Sequence, residues 1–260
     1  MKKEQSDSFL YSAGTPFIFG HRGVPSKAPE NTLPSFELLL QEGVPGVELD
    51  VQVCASGEVI ILHDFSLKRI TGYNSLVADT PYSVIKTLNA GKNYSGTYTG
   101  TRIPRLEEVF ELLGNRVYYD IELKRDKGNT SSKLETKVLQ IIKEYRLETH
   151  CMLSSFNPEA VRITRKAAPH IPSGIIYANH KDLPFFLRHG EGIFFAGSDF
   201  IKPGTYSINS LTAFFTRTFT RLPTITWSVN SAQEAEKLIK KGVNGLISDK
   251  PQELLYLIET

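Results

Sequence analysis

Between Val47 and Val53 the chain alternates strictly between apolar and polar residues, and this run constrains the fold more than any other. A two-residue period is that of a β-strand, so Glu48, Asp50 and Gln52 would share one face. Two carboxylates about 7 Å apart on that face repel each other unless a positive group lies between them. Oxygen ligands on a rigid strand suit Mg²⁺ or Ca²⁺. Taken alone, the run is also typical of a half-exposed strand with a solvated acidic face.

The neighbouring segments favour a metal site, because each places polar groups at the end of an apolar strand. A strand predicted at 17–20 is followed by His21 and Arg22, and one at 58–62 is followed by His63. Buried parallel strands are usually continuous apolar runs, so polar residues at their ends indicate a functional site. The pattern is typical of a catalytic face.

A second acidic strand repeats the alternation. In the run that ends at Lys124, residues Glu122 and Lys124 fall on one face. Glu122 could complete a three-carboxylate site with Glu48 and Asp50, which suits a hard cation better than zinc. Lys124 and Arg22 would add positive charge beside it, as the transition state of a phosphodiester requires. Two imidazoles can act there as a base and an acid.

Strands and helices alternate through most of the chain, which predicts a mostly parallel sheet. The count of about eight strands and the length of 260 residues favour one (β/α)₈ TIM barrel, an α/β fold. We predict strands at 17–20, 47–53, 58–62, 116–124, 151–156, 173–177, 192–196, 224–229 and 245–248. We predict helices at 33–42, 104–113, 131–145, 159–168, 183–189, 207–221, 232–241 and 251–259.

Three further predictions concern domain organisation. The short link between the second and third strands indicates a hairpin instead of a βαβ crossover. Residues 65–103 break the alternation and are predicted to form an insertion above the barrel, after the strand that ends at His63. Residues 1–15 are predicted to be an N-terminal tail, and 16–260 the barrel domain.

Composition excludes several classes of function. A formal net charge of +2 argues against a nucleic-acid partner. No run approaches the ~20 apolar residues of a membrane span. The first residues do not form a signal peptide, and two cysteines are too few for a disulfide framework. We therefore expect a cytoplasmic protein, or a periplasmic or secreted one if a leader has been removed. The sequence does not indicate an oligomeric state.

Three residues near the strand ends each have two interpretations. Trp227, the single tryptophan, could fill the barrel core or form a wall against a substrate. Asp64 could orient His63 or cap the following turn. Asp249 is followed closely by Pro251, which is most typical of a helix N-cap, so we leave it outside the predicted site.

Together these motifs resemble the glycerophosphodiester phosphodiesterase family. Each motif alone is a weak signal, but their order and spacing are specific, and the likeness runs from about residue 16 to 258. It rests on His21-Arg-Gly23, Ala28-Pro-Glu-Asn-Thr32, Val47-Glu-Leu-Asp-Val51, His63-Asp64, Ile121-Glu-Leu-Lys124, Ser154-Ser-Phe-Asn157, Trp227-Ser-Val-Asn230 and the run from Gly242 to Pro251.

The resemblance implies metal-dependent hydrolysis of glycerophosphodiesters to sn-glycerol 3-phosphate and an alcohol, in a barrel with a small inserted subdomain. The implied metal is Mg²⁺ or Ca²⁺. The implied roles are metal ligand for Glu48, Asp50 and Glu122, acid or base for His21 and His63, phosphate contact for Arg22 and Lys124, and glycerol-pocket wall for Trp227. We count Lys124 as catalytic too. Which imidazole is the base, and whether water or a glycerol hydroxyl attacks first, stays open.

Two alternatives remain open from the sequence. One is a lysophospholipase D that acts on long-chain lysophospholipids, with acyl chains contacting three phenylalanine pairs: Phe185-Phe186, Phe194-Phe195 and Phe214-Phe215. Core packing also accounts for these pairs. The other is a non-catalytic phosphodiester-binding barrel, which would require the loss of an acid/base or ligand residue, and none is missing.

Overall fold

Eight parallel strands surround one axis in the computed structural model, which describes residues 16–94, 96–125, 133–179, 188, 192–209 and 216–258. The strands are β1 (Phe17–His21), β2 (Gly46–Val53), β3 (Val59–Ile61), β4 (Tyr118–Leu123), β5 (Cys151–Ser155), β6 (Ser173–Tyr177), β7 (Phe200–Pro203), β8 (Ile225–Thr226) and β9 (Gly245–Ser248). All but β3 are parallel, in the order β7-β6-β5-β4-β2-β1-β9-β8.

The two ends of this order meet and nearly close the barrel. Parallel bridges join Ile201 of β7 to Thr224, and Gly204 to Trp227 after β8. The backbone amide of Ile201 donates to the carbonyl of Pro223 at 2.9 Å. The predicted α/β barrel is therefore confirmed.

In the described residues, α-helices lie outside the ring of strands, either against the barrel or in the segment 65–103. They are α1 (Leu33–Gln41), α2 (Lys68–Thr71), α3 (Tyr82–Ile85), α4 (Leu106–Leu113), α5 (Lys133–Glu144), α6 (Pro158–Ala167), α7 (Gly192–Ala196) and α8 (Ala232–Lys240). The cap residues explain two of the starts. The Asn157 side chain accepts from the Glu159 amide before α6, and the Ser231 hydroxyl accepts from the Glu234 amide before α8. None of the helices in the described ranges has both the length and the hydrophobicity that crossing a bilayer requires.

Strands β2 and β3 form the predicted hairpin, antiparallel with Val51 opposite Ile61. The chain then enters residues 65–103, which contain α2, α3 and the 3₁₀ turns Val77–Asp79 and Gly96–Tyr98. This segment has a buried apolar cluster of its own, formed with β3 and the residues beside it: Cys54, Ile60, Leu62, Leu67, Ile70, Val77, Ile85, Ala90 and Ile103. It therefore packs as an ordered unit beside the barrel.

One strand prediction was wrong. Gly192–Ala196 is the helix α7, and the strand is Phe200–Pro203 instead. A five-residue apolar run does not by itself distinguish a helix from a buried strand. The amide of Gly197 donates to the Ile193 carbonyl in a helical turn. The true strand was overlooked because Lys202 and Pro203 interrupt its apolar pattern.

Alternation along the strands decides which side chains enter the barrel. The lower interior is apolar and contains Phe19, Met152, Phe200, Ile225 and Ile247. Above it lie the polar residues of β2, where Glu48 is 2% exposed, Asp50 1% and Gln52 3%. The acidic face of β2 thus points into the barrel and is not solvated.

Some sequence predictions lie outside the described residues. They are the N-terminal tail 1–15, all of the helix at 183–189 except residue 188, and the middle of the helix at 207–221. At the two ends of the predicted helix 207–221, the structure has a 3₁₀ turn at Thr205–Ser207 and a π-helical turn at Thr216–Thr220.

Candidate active site

Three carboxylates from two adjacent strands meet inside the barrel. Glu48 and Asp50 lie on β2 and Glu122 on β4, and one carboxylate oxygen from each lies within 4.8 Å of the other two. Asp50 and Glu122 are direct neighbours in the parallel register, and their side chains therefore enter the barrel at the same height. All three are buried, Glu122 being the most exposed at 7%. Isolated anions at such depth are costly, so they require positive partners.

Asp50 has cations and an amide around it. Lys124 Nζ lies 3.7 Å from Oδ1, and Arg22 Nε lies 3.3 Å from Oδ2. The Asn31 side chain donates to Oδ2 at 2.9 Å. Burial favours the protonated form of Asp50, but the Lys124 and Arg22 charges outweigh it and hold its pKa well below the usual range. These partners therefore favour the ionised form of Asp50, which is the form that binds a cation.

Glu48 shares a buried lysine with Asp120. Lys202, on β7, places Nζ 3.2 Å from Glu48 Oε1 and 2.9 Å from Asp120 Oδ2. The Ser154 hydroxyl donates to Asp120 at 2.7 Å and lies 3.3 Å from Lys202 Nζ. Burial raises the pKa of both carboxyls although the Lys202 charge opposes it. The Lys202 ammonium is thus a positive partner shared by Glu48 and Asp120.

His21, the last residue of β1, lies beside Glu48. Its Nδ1 is 2.6 Å from Asp249 Oδ1, and its Nε2 is 4.0 Å from Glu48 Oε2. The side-chain amide of Asn230 donates to Asp249 Oδ2 at 2.6 Å. Burial lowers the pKa of His21, but the hydrogen bond to Asp249 and the charge of Glu48 outweigh it and raise the pKa above its ordinary value. Asp249 thus fixes the ring and aims Nε2 at the carboxylates.

His63 approaches from the hairpin side. The Leu62 amide donates to the Asp50 carbonyl at 3.0 Å, and this bond ties the segment to β2. The Gln52 side chain donates to the carbonyls of Leu62 and Asp64, on either side of His63. Asp64 Oδ1 lies 2.8 Å from His63 Nδ1, which leaves Nε2 free of that bond. This contact supports the interpretation that Asp64 orients the His63 ring.

Arg22 turns back over Glu48 in a left-handed backbone conformation, with φ of 58°. Its amide donates to the Glu48 carbonyl at 2.8 Å and also approaches the Glu48 carboxylate at 3.2 Å. Gly23 follows with φ of 93°, and a Cβ there would lie 2.3 Å from Ser35 Oγ. The side chain of Arg22 pairs with Glu30 at 2.8 Å. The tight turn therefore aims the guanidinium across the site towards Asp50.

Trp227 borders a cleft of about 550 Å³ at the same end of the barrel. Its indole N–H donates to the Lys202 carbonyl at 3.2 Å, and its ring meets Phe156 edge to face at 5.9 Å. The cleft is also lined by Ala178, Asn179, Gly204, Thr205, Tyr206, Ser207, Ser228 and Asn230. Trp227 is only partly buried: it packs against the apolar cluster inside the barrel and also lines this cleft.

A divalent cation fits the triad. Asp50 Oδ1 is buried and has no hydrogen-bond partner among the described residues, and an unsatisfied buried oxygen is a lone pair available to a metal. Three carboxylate oxygens within one ion's reach are the donor set that Mg²⁺ and Ca²⁺ prefer. The chemistry of the donors does not choose between the two ions.

The structure thus gathers all eight sequence-predicted site residues at one end of the barrel. Sequence reasoning missed several of their partners. Asp249, interpreted as a helix cap, holds His21 instead. Lys202 lay in the overlooked strand. Glu30, Asn31 and Arg69 contact site residues through side-chain hydrogen bonds in irregular segments, where no strand or helix period indicates which side chains meet.

The phenylalanine pairs give the lipid alternative little support. Phe185-Phe186 and Phe214-Phe215 lie outside the described residues. Phe195, on α7, is 71% exposed, and the side chain of Phe194 is not described. Phe195 is not among the residues that line the cleft beside Trp227.

Comparison with known proteins yields one family. The model of the glycerophosphoryl diester phosphodiesterase family matches residues 21–253. A glycerophosphodiester phosphodiesterase of Caldanaerobacter subterraneus subsp. tengcongensis is 31% identical over 254 residues, covering 93% of this chain and 97% of that protein. A glycerophosphodiester phosphodiesterase of Bacillus altitudinis is 29% identical over 249 residues, covering 93% and 98%.

A solved structure resembles the whole chain. It is that of an Oleispira antarctica phosphodiesterase in complex with the product sn-glycerol-3-phosphate. It is 26% identical, has a TM-score of 0.82, and covers 96% of this chain and 99% of its own. The likeness in fold therefore extends over nearly the whole chain.

Proposed function

Because the chain belongs to the glycerophosphoryl diester phosphodiesterase family, we propose that it hydrolyses glycerophosphodiesters to sn-glycerol 3-phosphate and an alcohol in a metal-dependent reaction. The observation that carries this proposal is the buried triad of Glu48, Asp50 and Glu122 with cations beside it. A site that holds three anions within 4.8 Å suits a divalent ion with an anionic substrate. The Oleispira antarctica protein, whose structure contains sn-glycerol-3-phosphate, supports the same substrate class.

The triad would hold Mg²⁺ or Ca²⁺. When bound, such an ion neutralises charge on phosphoryl oxygens and so favours attack at phosphorus. Arg22 and Lys124 add two fixed positive charges at the same edge of the triad, 3.3 and 3.7 Å from Asp50. Each is suited to a non-bridging phosphate oxygen, Arg22 through its planar fork and Lys124 as a point charge.

His21 and His63 would move the protons. One imidazole Nε2 accepts a proton from the attacking oxygen as that oxygen forms a bond to phosphorus; the nucleophile is water, or a glycerol hydroxyl whose cyclic phosphate product is then opened by water to glycerol 3-phosphate. The bond from phosphorus to the alcohol oxygen breaks, and the other imidazole donates a proton to that oxygen. Each ring carries a carboxylate on Nδ1, Asp249 for His21 and Asp64 for His63, which sets the tautomer that exposes Nε2.

The cleft beside Trp227 would hold the glycerol part. Its aromatic faces, Trp227 and Phe156, suit the carbon backbone of glycerol, and the amides of Asn179 and Asn230 suit its hydroxyls. Asn230 also contacts Asp249, so a substrate bound there lies next to the His21 pair.

Release of glycerol 3-phosphate tests the proposal. The purified protein is assayed with glycerophosphocholine, glycerophosphoethanolamine and glycerophosphoglycerol, first in EDTA and then with Mg²⁺ or Ca²⁺ restored. We expect release that EDTA abolishes and a divalent ion restores. Absence of release from every diester under every metal condition would contradict the proposal.

Lysophosphatidylcholine is the comparison substrate for the lysophospholipase D alternative. Turnover of this lipid with glycerophosphocholine inert would replace the proposed substrate by a long-chain one. Calorimetric binding of a diester without turnover would instead support the non-catalytic barrel.

A further inference from the structure

One guanidinium on the inserted segment bridges two carboxylates. Arg69 Nε and Nη2 lie 2.5 and 3.0 Å from the two oxygens of Asp64. Its Nη1 and Nη2 lie 3.0 and 2.8 Å from the two oxygens of Glu30. Paired contacts of this kind are the strongest geometry available to an Arg–carboxylate pair, because the two planar groups match. Arg69 therefore fixes both acids in position and orientation.

Each of these acids contacts a residue of the proposed site. Asp64 holds the Nδ1 side of the His63 ring at 2.8 Å. Glu30 holds Arg22 Nη1 at 2.8 Å, and Arg22 Nε in turn lies 3.3 Å from Asp50. Two branches thus leave Arg69, one to the imidazole and one to the guanidinium beside the triad.

The segment that carries Arg69 is itself tied to the loop that carries Glu30. The Tyr94 hydroxyl donates to the Pro25 carbonyl at 2.9 Å, and the Tyr98 hydroxyl donates to the Lys27 carbonyl at 3.2 Å. Arg69 also sits at the edge of the insertion's apolar cluster, since its neighbour Ile70 is buried there. Its position relative to the site is therefore set by packing on both sides.

We propose that Arg69 is a positioning residue, which holds His63 through Asp64 and Arg22 through Glu30 and so makes the insertion a working part of the active site. The inference rests on the proposed function. Without Arg69, two carboxylates that now share one cation would repel each other, and each would lose the paired contact that helps to fix its rotamer. His63 and Arg22 would then sample orientations in which they cannot act.

Stability and catalysis are expected to respond differently to loss of Arg69. The side chain is 46% exposed, and ion pairs at such positions contribute little to folding stability. Residues that orient catalytic or metal-binding groups, in contrast, typically affect activity about 10–100-fold. A structural role and a positioning role are therefore separable by measurement.

The first test compares Arg69→Met with Arg165→Met. Arg165 makes a similar paired contact to Asp199, at 2.9 and 2.7 Å, and is 35% exposed, but it lies on α6 away from the proposed site. We expect Arg69→Met to lower kcat for glycerophosphocholine about 10–100-fold, and Arg165→Met to leave it unchanged. The melting temperature is measured for both. Arg69→Lys should stay impaired, because one ammonium cannot pair with both carboxylates.

The second test is a double-mutant cycle. If Arg69 acts through Asp64 on kcat, Arg69→Met should cost clearly less in an Asp64→Asn background than in the native one. If it also acts through Glu30, it should weaken glycerol 3-phosphate binding measured by calorimetry, and this weakening should shrink in a Glu30→Gln background. These two readouts separate the His63 branch from the Arg22 branch.

The outcomes distinguish this inference from the proposed function. Native protein that turns over glycerophosphocholine, with Arg69→Met equal to it in kcat and product binding, would overturn the role of Arg69 alone. Fully additive losses in both cycles would do the same. Native protein that is inert towards every diester would instead overturn the proposed function.

Discussion

At the scale of single residues, the site is a balance of buried charges. Each triad carboxylate has a cation within 4 Å in the structure: Lys202 for Glu48, Arg22 and Lys124 for Asp50, and Lys124 for Glu122. These contacts make it possible to bury three anions within 4.8 Å of one another. Lys202 is also shared with Asp120, and Arg22 with Glu30, so these cations offset the acids only in part and a divalent ion bound there would supply further positive charge for the substrate oxygens.

The two imidazoles give the first prediction at this scale. His21→Ala and His63→Ala should each lower kcat roughly 10²–10⁴-fold, the usual contribution of a general acid or base. His170→Ala serves as the control, since His170 is exposed on a loop. Steady-state kinetics with glycerophosphocholine measures all three, alongside the thermal shift caused by the metal. A loss below about tenfold in both site variants would remove the histidines from the proton transfers.

Lys202 gives a second prediction, on stability. Lys202→Met leaves Glu48 and Asp120 without their shared cation, and breaking a buried ion pair typically costs about 3–5 kcal/mol. Urea unfolding in EDTA should reveal a loss of this size. The double variant Lys202→Met/Asp120→Asn should recover part of it, since one of the two stranded charges is gone. A single variant as stable as the native protein would contradict the assignment of Lys202 as their counter-charge.

At the scale of elements, alternation was a reliable guide where the strand was long. In β2, with eight residues, and β4, with six, the alternation correctly predicted that the acidic side chains lie on the inner face of the barrel. Alternation did not distinguish a helix from a strand at Gly192–Ala196, because a run of five residues fits either period. It also missed β7, because the charged Lys202 interrupts the apolar pattern expected of a buried strand. Contacts such as that of Asp249 with His21 join residues 228 positions apart, and they depend on barrel closure, which no local pattern encodes.

Packing between β1 and β2 gives an element-scale prediction. Gly46 lies opposite Phe19, and a Cβ there would be 2.5 Å from the Phe19 ring. Gly46→Ala should therefore destabilise the protein by about 1–3 kcal/mol through overpacking. Gly96→Ala is the matched control, because nothing lies within 4 Å of the added carbon. Denaturant unfolding compares the two, and equal stability of both variants would show that the β1–β2 contact has room to adjust.

At the scale of the whole molecule, the site integrates distant parts of the chain. The triad residues lie on β2 and β4. His21 at the end of β1 contacts Asp249, which follows β9, and Lys202 on β7 contacts Glu48. The insertion adds Arg69 from outside the barrel. Unfolding separates all of these groups, so a ligand of the triad binds the native state alone and its affinity becomes part of the folding free energy.

Metal binding should therefore stabilise the entire fold. For a site that exists only in the native state, a metal at 100 times its Kd contributes about 2.7 kcal/mol, so Mg²⁺ or Ca²⁺ should raise the melting temperature and EDTA should reverse the effect. Glu122→Gln removes one of the three ligands and should reduce the shift at a given metal concentration. Glu159→Gln is the control, because Glu159 forms an exposed pair with Arg162 on α6 and should keep the native shift. Differential scanning calorimetry in a metal titration measures both variants. Equal shifts in the two would mean that the stabilising ion binds elsewhere, since only loss of a triad ligand can weaken binding at the triad itself.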